Sequence, residues 1–317
     1  MLYRTQPLEN HVDVLTVSDM CVDLVLSGNV RPQFHQVEQL IDEYALELGG
    51  SANIFAAQFA KLGGRAGVIG CVGQDLFGDF ALERLRTMGV DVSRVKRQAS
   101  LKTGLGVALS EPNDRAILTY LGTIDAMQPE DIPETTLDSC RHWHITSFFL
   151  LQSLANFWFD WVRACKARGV TVSLDPNWDP SNRWEGLKEL LPFVDVFLPN
   201  EAEATAIAGC SDVEQAGAEL ASYGPLVVVK CGSKGAIAFK GREILRADSG
   251  DDSAPPKIVD SVGAGDNFDA AFIRGWLLGQ DARSCLALAD RCAVASLSHY
   301  GGIRGQLREA VGNDAGS

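Results

Sequence analysis

Asp260-Ser261-Val262-Gly263-Ala264-Gly265-Asp266 is the stretch of this 317-residue chain whose residue types and spacing most directly suggest chemistry. Gly263, Ala264 and Gly265 carry little or no side chain, so their backbone N–H groups stand open to an anion. An apolar-periodic helix follows, which would put those amides at the positive end of a helix dipole. Asp266 falls in the first helical turn, beside where the anion would lie. A carboxylate is repelled by a phosphate unless it has a task there. One task is to accept the proton of an attacking hydroxyl. The other reading is an ordinary helix cap, a position where Asp is common.

Two other segments carry oxygen and nitrogen groups at the ends of strands. Asn200 and Glu203 follow the strand at 194–198 and open a helix, and their i, i+3 spacing places both on one face. Oxygen ligands suit Mg²⁺, while acidic residues at a helix start also favour the dipole with no metal present. Asp175-Pro176-Asn177 ends another strand, where Asp175 serves equally well as a turn residue before proline. His142 and His144 alternate across a strand without a third ligand nearby, and are read as structural. The aromatic stretch 148–161 is read as core packing at a strand–helix junction.

These residues need elements to hold them. Strands are expected at 12–18, 24–26, 44–48 and 66–71, and helices at 52–62 and 77–88, the last closed by Gly89. A hairpin is expected from 104–110 and 116–121 around Glu111-Pro112-Asn113-Asp114. Beyond it, strands at 142–146, 170–174, 194–198 and 226–230 alternate with helices at 154–168, 201–208, 264–278 and 282–299. That alternation predicts a mostly parallel sheet with helices on both faces. The early strands and the hairpin break the rhythm, and are expected to form a small projecting sheet. Residues 248–256 read as a loop or hairpin tip.

Composition narrows the function. With a formal net charge of −13 and no basic block, the chain is not built for nucleic acid or an anionic membrane surface. Eight cysteines without a C-x-x-C pair fit neither a disulfide framework nor a zinc site. Residues 1–11 lack the apolar core of a signal peptide and no stretch approaches a membrane span, so a cytoplasmic protein is expected. No G-x-G-x-x-G follows the first strand and no G-x-x-x-x-G-K-[ST] occurs, against a dinucleotide dehydrogenase or a P-loop kinase.

The 260–266 segment resembles the C-terminal signature of the ribokinase-like (PfkB) carbohydrate kinases. Gly49-Gly50-Ser51-Ala52-Asn53, then Leu62-Gly63-Gly64, then Gly70-Cys71-Val72-Gly73-Gln74-Asp75-Leu76-Phe77-Gly78 are similar to the family's N-terminal signature. Asn200-Glu201-Ala202-Glu203 is similar to its N-x-x-E motif. The blocks stand in the family's order, and the resemblance runs over residues 12–302. It implies an α/β fold: a three-layer αβα sandwich with a mostly parallel sheet and a small β lid, in one domain spanning 1–317. Lid strands would come from about 22–48 and 102–121. It implies ATP-dependent phosphorylation of a hydroxyl on a small sugar or sugar acid, with Asp266 as base and Gly263, Ala264 and Gly265 as an anion hole.

The same resemblance implies the remaining roles. Asp23, Gly50 and Asn53 would bind substrate hydroxyls, and Asn177 would lie near the sugar or the phosphates. Arg183 would correspond loosely to an arginine of some members. Gly232 and Lys230, in Lys230-Cys231-Gly232-Ser233-Lys234-Gly235, would lie near ATP, although Lys230 also reads as a strand end with its charge in solvent. Asn200 and Glu203 would act on Mg²⁺ through water, and Asp260 and Val262 would flank K⁺. A homodimer through the lid is expected. Two positions depart from the pattern. Cys21 stands where many members have Asn two residues before the substrate Asp, and Cys292 stands near the adenine where many have Asn. These departures leave room for a nucleoside kinase, or for a catalytically weak sugar-binding sensor.

Overall fold

The computed structural model describes residues 11–111, 114–247 and 258–308. In chain order the strands and helices are β1 (Val12–Val17), β2 (Cys21–Ser27), β3 (Glu43–Gly49), α1 (Ser51–Lys61), β4 (Ala66–Gly73), α2 (Leu76–Thr87), β5 (Asp91–Gln98), β6 (Gly104–Glu111) and β7 (Asp114–Tyr120). There follow β8 (Cys140–Ile145), α3 (Phe157–Arg168), β9 (Thr171–Leu174), α4 (Leu187–Leu190), β10 (Val196–Phe197), α5 (Glu201–Ala208), α6 (Val213–Ala221) and β11 (Leu226–Lys230). The last are β12 (Ala236–Lys240), β13 (Glu243–Ala247), α7 (Ala264–Leu277) and α8 (Ala282–Ser296).

Nine strands form the main sheet in the order β13-β12-β11-β10-β9-β8-β1-β4-β5. Pairing is parallel from β11 through β5, and β12 and β13 add an antiparallel edge. Alternation along each strand sends side chains to two separate cores. Leu15, Trp143 and Ile145 join Trp158 and Trp161 of α3 on one face. Val14, Val68 and Val228 join Phe55, Phe59, Phe268 and Phe272 of α1 and α7 on the other. Helices therefore cover both faces and leave the strand ends open. In such sheets ligands gather beyond the carboxyl ends of the strands.

The second sheet has the order β3-β2-β6-β7, with β2–β6 parallel and the outer pairs antiparallel. This is the projecting sheet expected from the early strands and the hairpin. Residues 248–256 and Pro112–Asn113 of the expected turn lie outside the described residues.

Several elements differ from the sequence expectation. α3 begins at Phe157 rather than at 154, behind a 3₁₀ turn at Gln152–Leu154. β10 is only two residues long, and α8 stops at Ser296 rather than 299. β5, α6 and the β12–β13 pair carried no expectation. β5 reads Asp-Val-Ser-Arg-Val-Lys-Arg-Gln, and as an edge strand it is charged on its open side. That hides the apolar pattern by which strands are read.

Candidate active site

A cleft of about 560 Å³ lies between the lid and the carboxyl ends of the main strands. Three helices, α1, α5 and α7, start at its walls, and the starts of α1 and α7 are built differently.

At α7, Gly263 is the N-cap, in the left-handed region at φ 74°. A Cβ there would come 2.7 Å from the Gly302 Cα, so the position admits glycine on two counts. Asn267 ties the turn to the segment after α8, its Nδ2 donating to the carbonyls of Gly263 and Gly302, both at 2.8 Å. Asp260 makes a second tie by accepting the amides of Val262 and Gly301, each at 3.0 Å. Gly263 has no side chain to cap the helix; Ala264 N donates weakly to the Ser261 carbonyl at 3.4 Å, and among the described residues no side chain takes the amides of Gly265 and Asp266. Asp266 sits in that first turn, only 8% exposed. Burial, with the nearby charges of Asp175 and Asp19, pushes its carboxyl up to about 7 against the pull of Lys230 and a hydrogen bond with Ser51.

One turn further along α7, Asp269 is fully buried. Lys230, at the end of β11, reaches it at 3.0 Å and Asp175, just past β9, at 2.9 Å. Burial would lower the lysine, but Asp175, Asp269 and Glu203 together raise it above its ordinary value. Burial would raise Asp175, yet Lys230 and hydrogen bonds from Asp269 and Asn177 hold it below the usual carboxylate range. Asp269 moves well upward, first through burial. The two carboxyls are thus pushed in opposite directions, with the lysine bridging them. Lys230 Nζ also lies 3.4 Å from where a Gly265 Cβ would stand, beneath the glycine turn.

Asn200 and Glu203 open α5 as a reciprocal cap. Asn200 N donates to Glu203 Oε2 at 2.8 Å and Glu203 N donates to Asn200 Oδ1 at 2.9 Å. Both residues line the cleft. Burial and the charge of Asp175 push the Glu203 carboxyl up to about 7. Among the described residues no group of three or more His, Cys, Asp or Glu could cage a metal. One carboxylate and one amide oxygen on the wall suit a cation that keeps its waters and leans on phosphate, as Mg²⁺ does.

At α1, Asp19 closes the helix start from outside. Its carboxylate accepts the amides of Ser51 at 3.1 Å and Ala52 at 3.3 Å, and the Ser147 hydroxyl at 2.8 Å. Asn177, at φ 51°, accepts from Thr146 Oγ1 and donates to Ser51 Oγ. Across the cleft, Asp23 projects from β2 of the lid. Side chains at Gly49 and Gly106 would collide with its carboxylate, so these glycines make room for it on the sheet.

Asp23, Gly50, Asn177, Asn200, Glu203, Lys230, Gly232, Asp260, Val262, Gly263, Gly265 and Asp266 all line this one cleft, with Ala264 inside the same glycine turn. Two expected site residues face elsewhere. Asn53 is fully buried and partnered by Ser18 Oγ at 2.7 Å and the Gly49 carbonyl at 2.8 Å. Cys292 is fully buried in the core beneath α7. Arg183 is outward, beside Ser181 and Glu185, and is not on the cleft wall. The histidines take the structural place expected of them. His142 bonds Thr171 and Ser173, His144 bonds Ser173 and stacks on Phe55, and burial drops His144 to about 3.

Sequence reading missed Asp19, Ser51, Ser147 and Asp269. Asp269 left the clearest trace, an acid on an otherwise apolar helix face one turn after Asp266.

The sequence matches the family described as pfkB family carbohydrate kinase over residues 13–309. It is 32% identical to an ATP-dependent ribose-1-phosphate kinase of Halopiger xanaduensis, covering 83% of this chain and 84% of the relative. It is 31% identical to a fructokinase of Klebsiella pneumoniae, over 78% and 82% of the two chains. The crystal structure of an E. coli protein described as ribokinase II, in complex with ATP and Mg²⁺, superposes with a TM-score of 0.81 at 27% identity, covering 94% of this chain and 96% of that one.

Proposed function

The chain belongs to the pfkB family of carbohydrate kinases, and from that membership we propose that it transfers the γ-phosphoryl group of ATP to a hydroxyl of a small sugar-like acceptor, with Asp266 as the base. The observation that carries this reading is the uncapped start of α7, where open glycine amides and a buried carboxyl that titrates near neutrality share one turn. The acceptor lies between Asp23, Gly50 and Asn177. Its hydroxyl proton passes to Asp266 as the oxygen bonds to the γ-phosphorus. The bond to the β–γ bridging oxygen breaks, and ADP leaves with that electron pair. The amides of Gly263, Ala264 and Gly265 meet the charge on the transferring group.

ATP lies along Gly232 and the end of β11. The Cβ-free face at Gly232 opens to space, so the nucleotide can approach the backbone there. Lys230 supports the glycine turn from beneath. Asn200 and Glu203 would hold Mg²⁺ through water, and the ion would supply positive charge to neutralise the phosphates. Asp260 and Val262 would flank a monovalent cation such as K⁺. ADP release with Mg-ATP across a panel of sugars and nucleosides, with Asp266→Asn in parallel, tests the reading. Turnover that survives the substitution would overturn the assigned base.

We further propose a homodimer through the lid. Residues whose register pairs them, Leu24 with Leu46 and Val107, and Val107 with Leu118, form one apolar face opposite the cleft-lining Asp23 and Val25. Tyr44 and Leu118 on that face are 70% and 62% exposed. An uncharged patch of this kind meets a second copy of itself about a two-fold axis. Sedimentation should give a dimer that Leu118→Arg converts to monomer. A monomeric parent protein would overturn the assembly.

A further inference from the structure

Besides the α7 start, the cleft contains two features that commonly receive anions, the α1 start on the acceptor side and a lysine between the two starts. Both are already occupied by the protein's own carboxylates. The α1 amides of Ser51 and Ala52 are bonded to Asp19, which Ser147 holds in place. Lys230 is the sole basic side chain among the described residues on the cleft wall, and it is locked between Asp175 and Asp269. Six acids share that wall: Asp19, Asp23, Asp175, Glu203, Asp260 and Asp266. Over the acceptor the lid offers Asp23 and the apolar Val25, Ala108 and Ile117. Asn177 and Ser51 add neutral hydrogen-bonding groups on the opposite wall.

From this arrangement, and resting on the kinase reading above, we infer that the acceptor is an uncharged polyol, a neutral sugar or nucleoside, and that sugar phosphates and sugar acids are refused by charge. Among the described residues on the cleft wall, a phosphate or carboxylate on the acceptor would leave water without an uncommitted side-chain cation to receive it. It would also stand beside Asp19 and Asp23, and like charges placed together at an interface suppress a wrong partner. The transferring phosphoryl group escapes this penalty because it meets the uncapped start of α7. A neutral polyol needs only hydroxyl partners. Asp23, Asn177 and Ser51 supply acceptors and donors of that kind.

Matched pairs decide it: ribose against ribose 5-phosphate, fructose against fructose 6-phosphate, sorbitol against gluconate, and adenosine against AMP, each with Mg-ATP. The best acceptor should be a neutral member, with kcat/KM at least ~10²-fold above its charged partner. A charged member equal to or better than its neutral partner would overturn the inference. Ile117→Arg places a cation on the lid wall, and should narrow the gap for the best pair at least ~10-fold. An unchanged gap in a folded variant would mean that shape does the excluding, which also overturns the claim. Absence of ADP release from every compound would instead sink the kinase reading. Thermal-shift binding of the same pairs then still decides the charge claim. Stabilisation by neutral members alone would support it, and stabilisation by charged members would refute it.

Discussion

Of the helices that begin at this cleft, α1 and α7 are finished in opposite ways. α1 starts under a carboxylate brought from the end of β1, so its positive end is satisfied before any ligand arrives. α7 starts on a left-handed glycine with no side-chain cap, and its amides are the ones proposed above to take the transferring phosphoryl group. A helix dipole is the same physical object in both places. What differs is whether the fold supplies the anion or leaves the seat open. The lysine between them follows the first pattern, being held by Asp175 and Asp269. On the proposed reading, one cleft in this way receives phosphate at one end and repels it at the other.

The sharpest way to break the comparison is at Asp266. Asp266→Asn keeps the open start of α7 and removes the proton acceptor, so kcat should fall by about 10²–10⁴-fold. Nucleotide binding, followed by calorimetry, should hold. If the open start worked by binding alone, turnover would survive and the pairing of anion seat with base would have no catalytic meaning.

Next comes the lock on Lys230. Lys230→Met leaves the ionised Asp175 buried without its cation, and should destabilise the protein by roughly 3–5 kcal/mol. Chemical denaturation reads this directly. Replacing the whole set, Lys230→Met with Asp175→Asn and Asp269→Asn, should recover much of the loss, because removing a buried ion cluster entirely costs less than orphaning one member. Equal losses in the single and triple variants would show that the lysine is merely packed there, and not electrically held.

The contrast between the two helix starts also explains what could be read in the sequence. At α7 the turn, the proposed base and the helix start are consecutive from Asp260 to Asp266, so a local reading could put them forward together. The α1 arrangement is assembled from afar. Asp19 meets Ser51 across 32 positions and Ser147 across 128, and no window of sequence contains the three together. Lys230 shows the same limit, since the partners that change it from a solvated strand end into a locked charge lie 55 and 39 positions away. Asn53 was legible as part of a motif, yet its partners Ser18 and Gly49 turn it into the core. Element order was legible along most of the chain where burial imposed a period, with the short α6 as an exception. It failed at β5 and at the antiparallel edge, where one side of the strand answers to solvent.

The smallest effect should come from Asp19→Asn, and it bears most directly on the difference between the two starts. The Asp19 charge is one of the causes that raise the Asp266 carboxyl, after burial and Asp175. A like charge nearby disfavours the ionised form, so removing it should let Asp266 ionise more readily. The pH profile of kcat/KM should rise through about 7 in the parent protein, where Asp266 becomes the carboxylate that accepts the proton. In Asp19→Asn the midpoint should move down, by a few tenths to about one unit. The amide oxygen can still accept from α1, so folding should suffer little. The variant should also lose part of its discrimination between ribose and ribose 5-phosphate, because the α1 start would then be capped by a neutral group. A midpoint that stays in place would show that Asp19 closes α1 for structural reasons alone, without reaching the chemistry at α7.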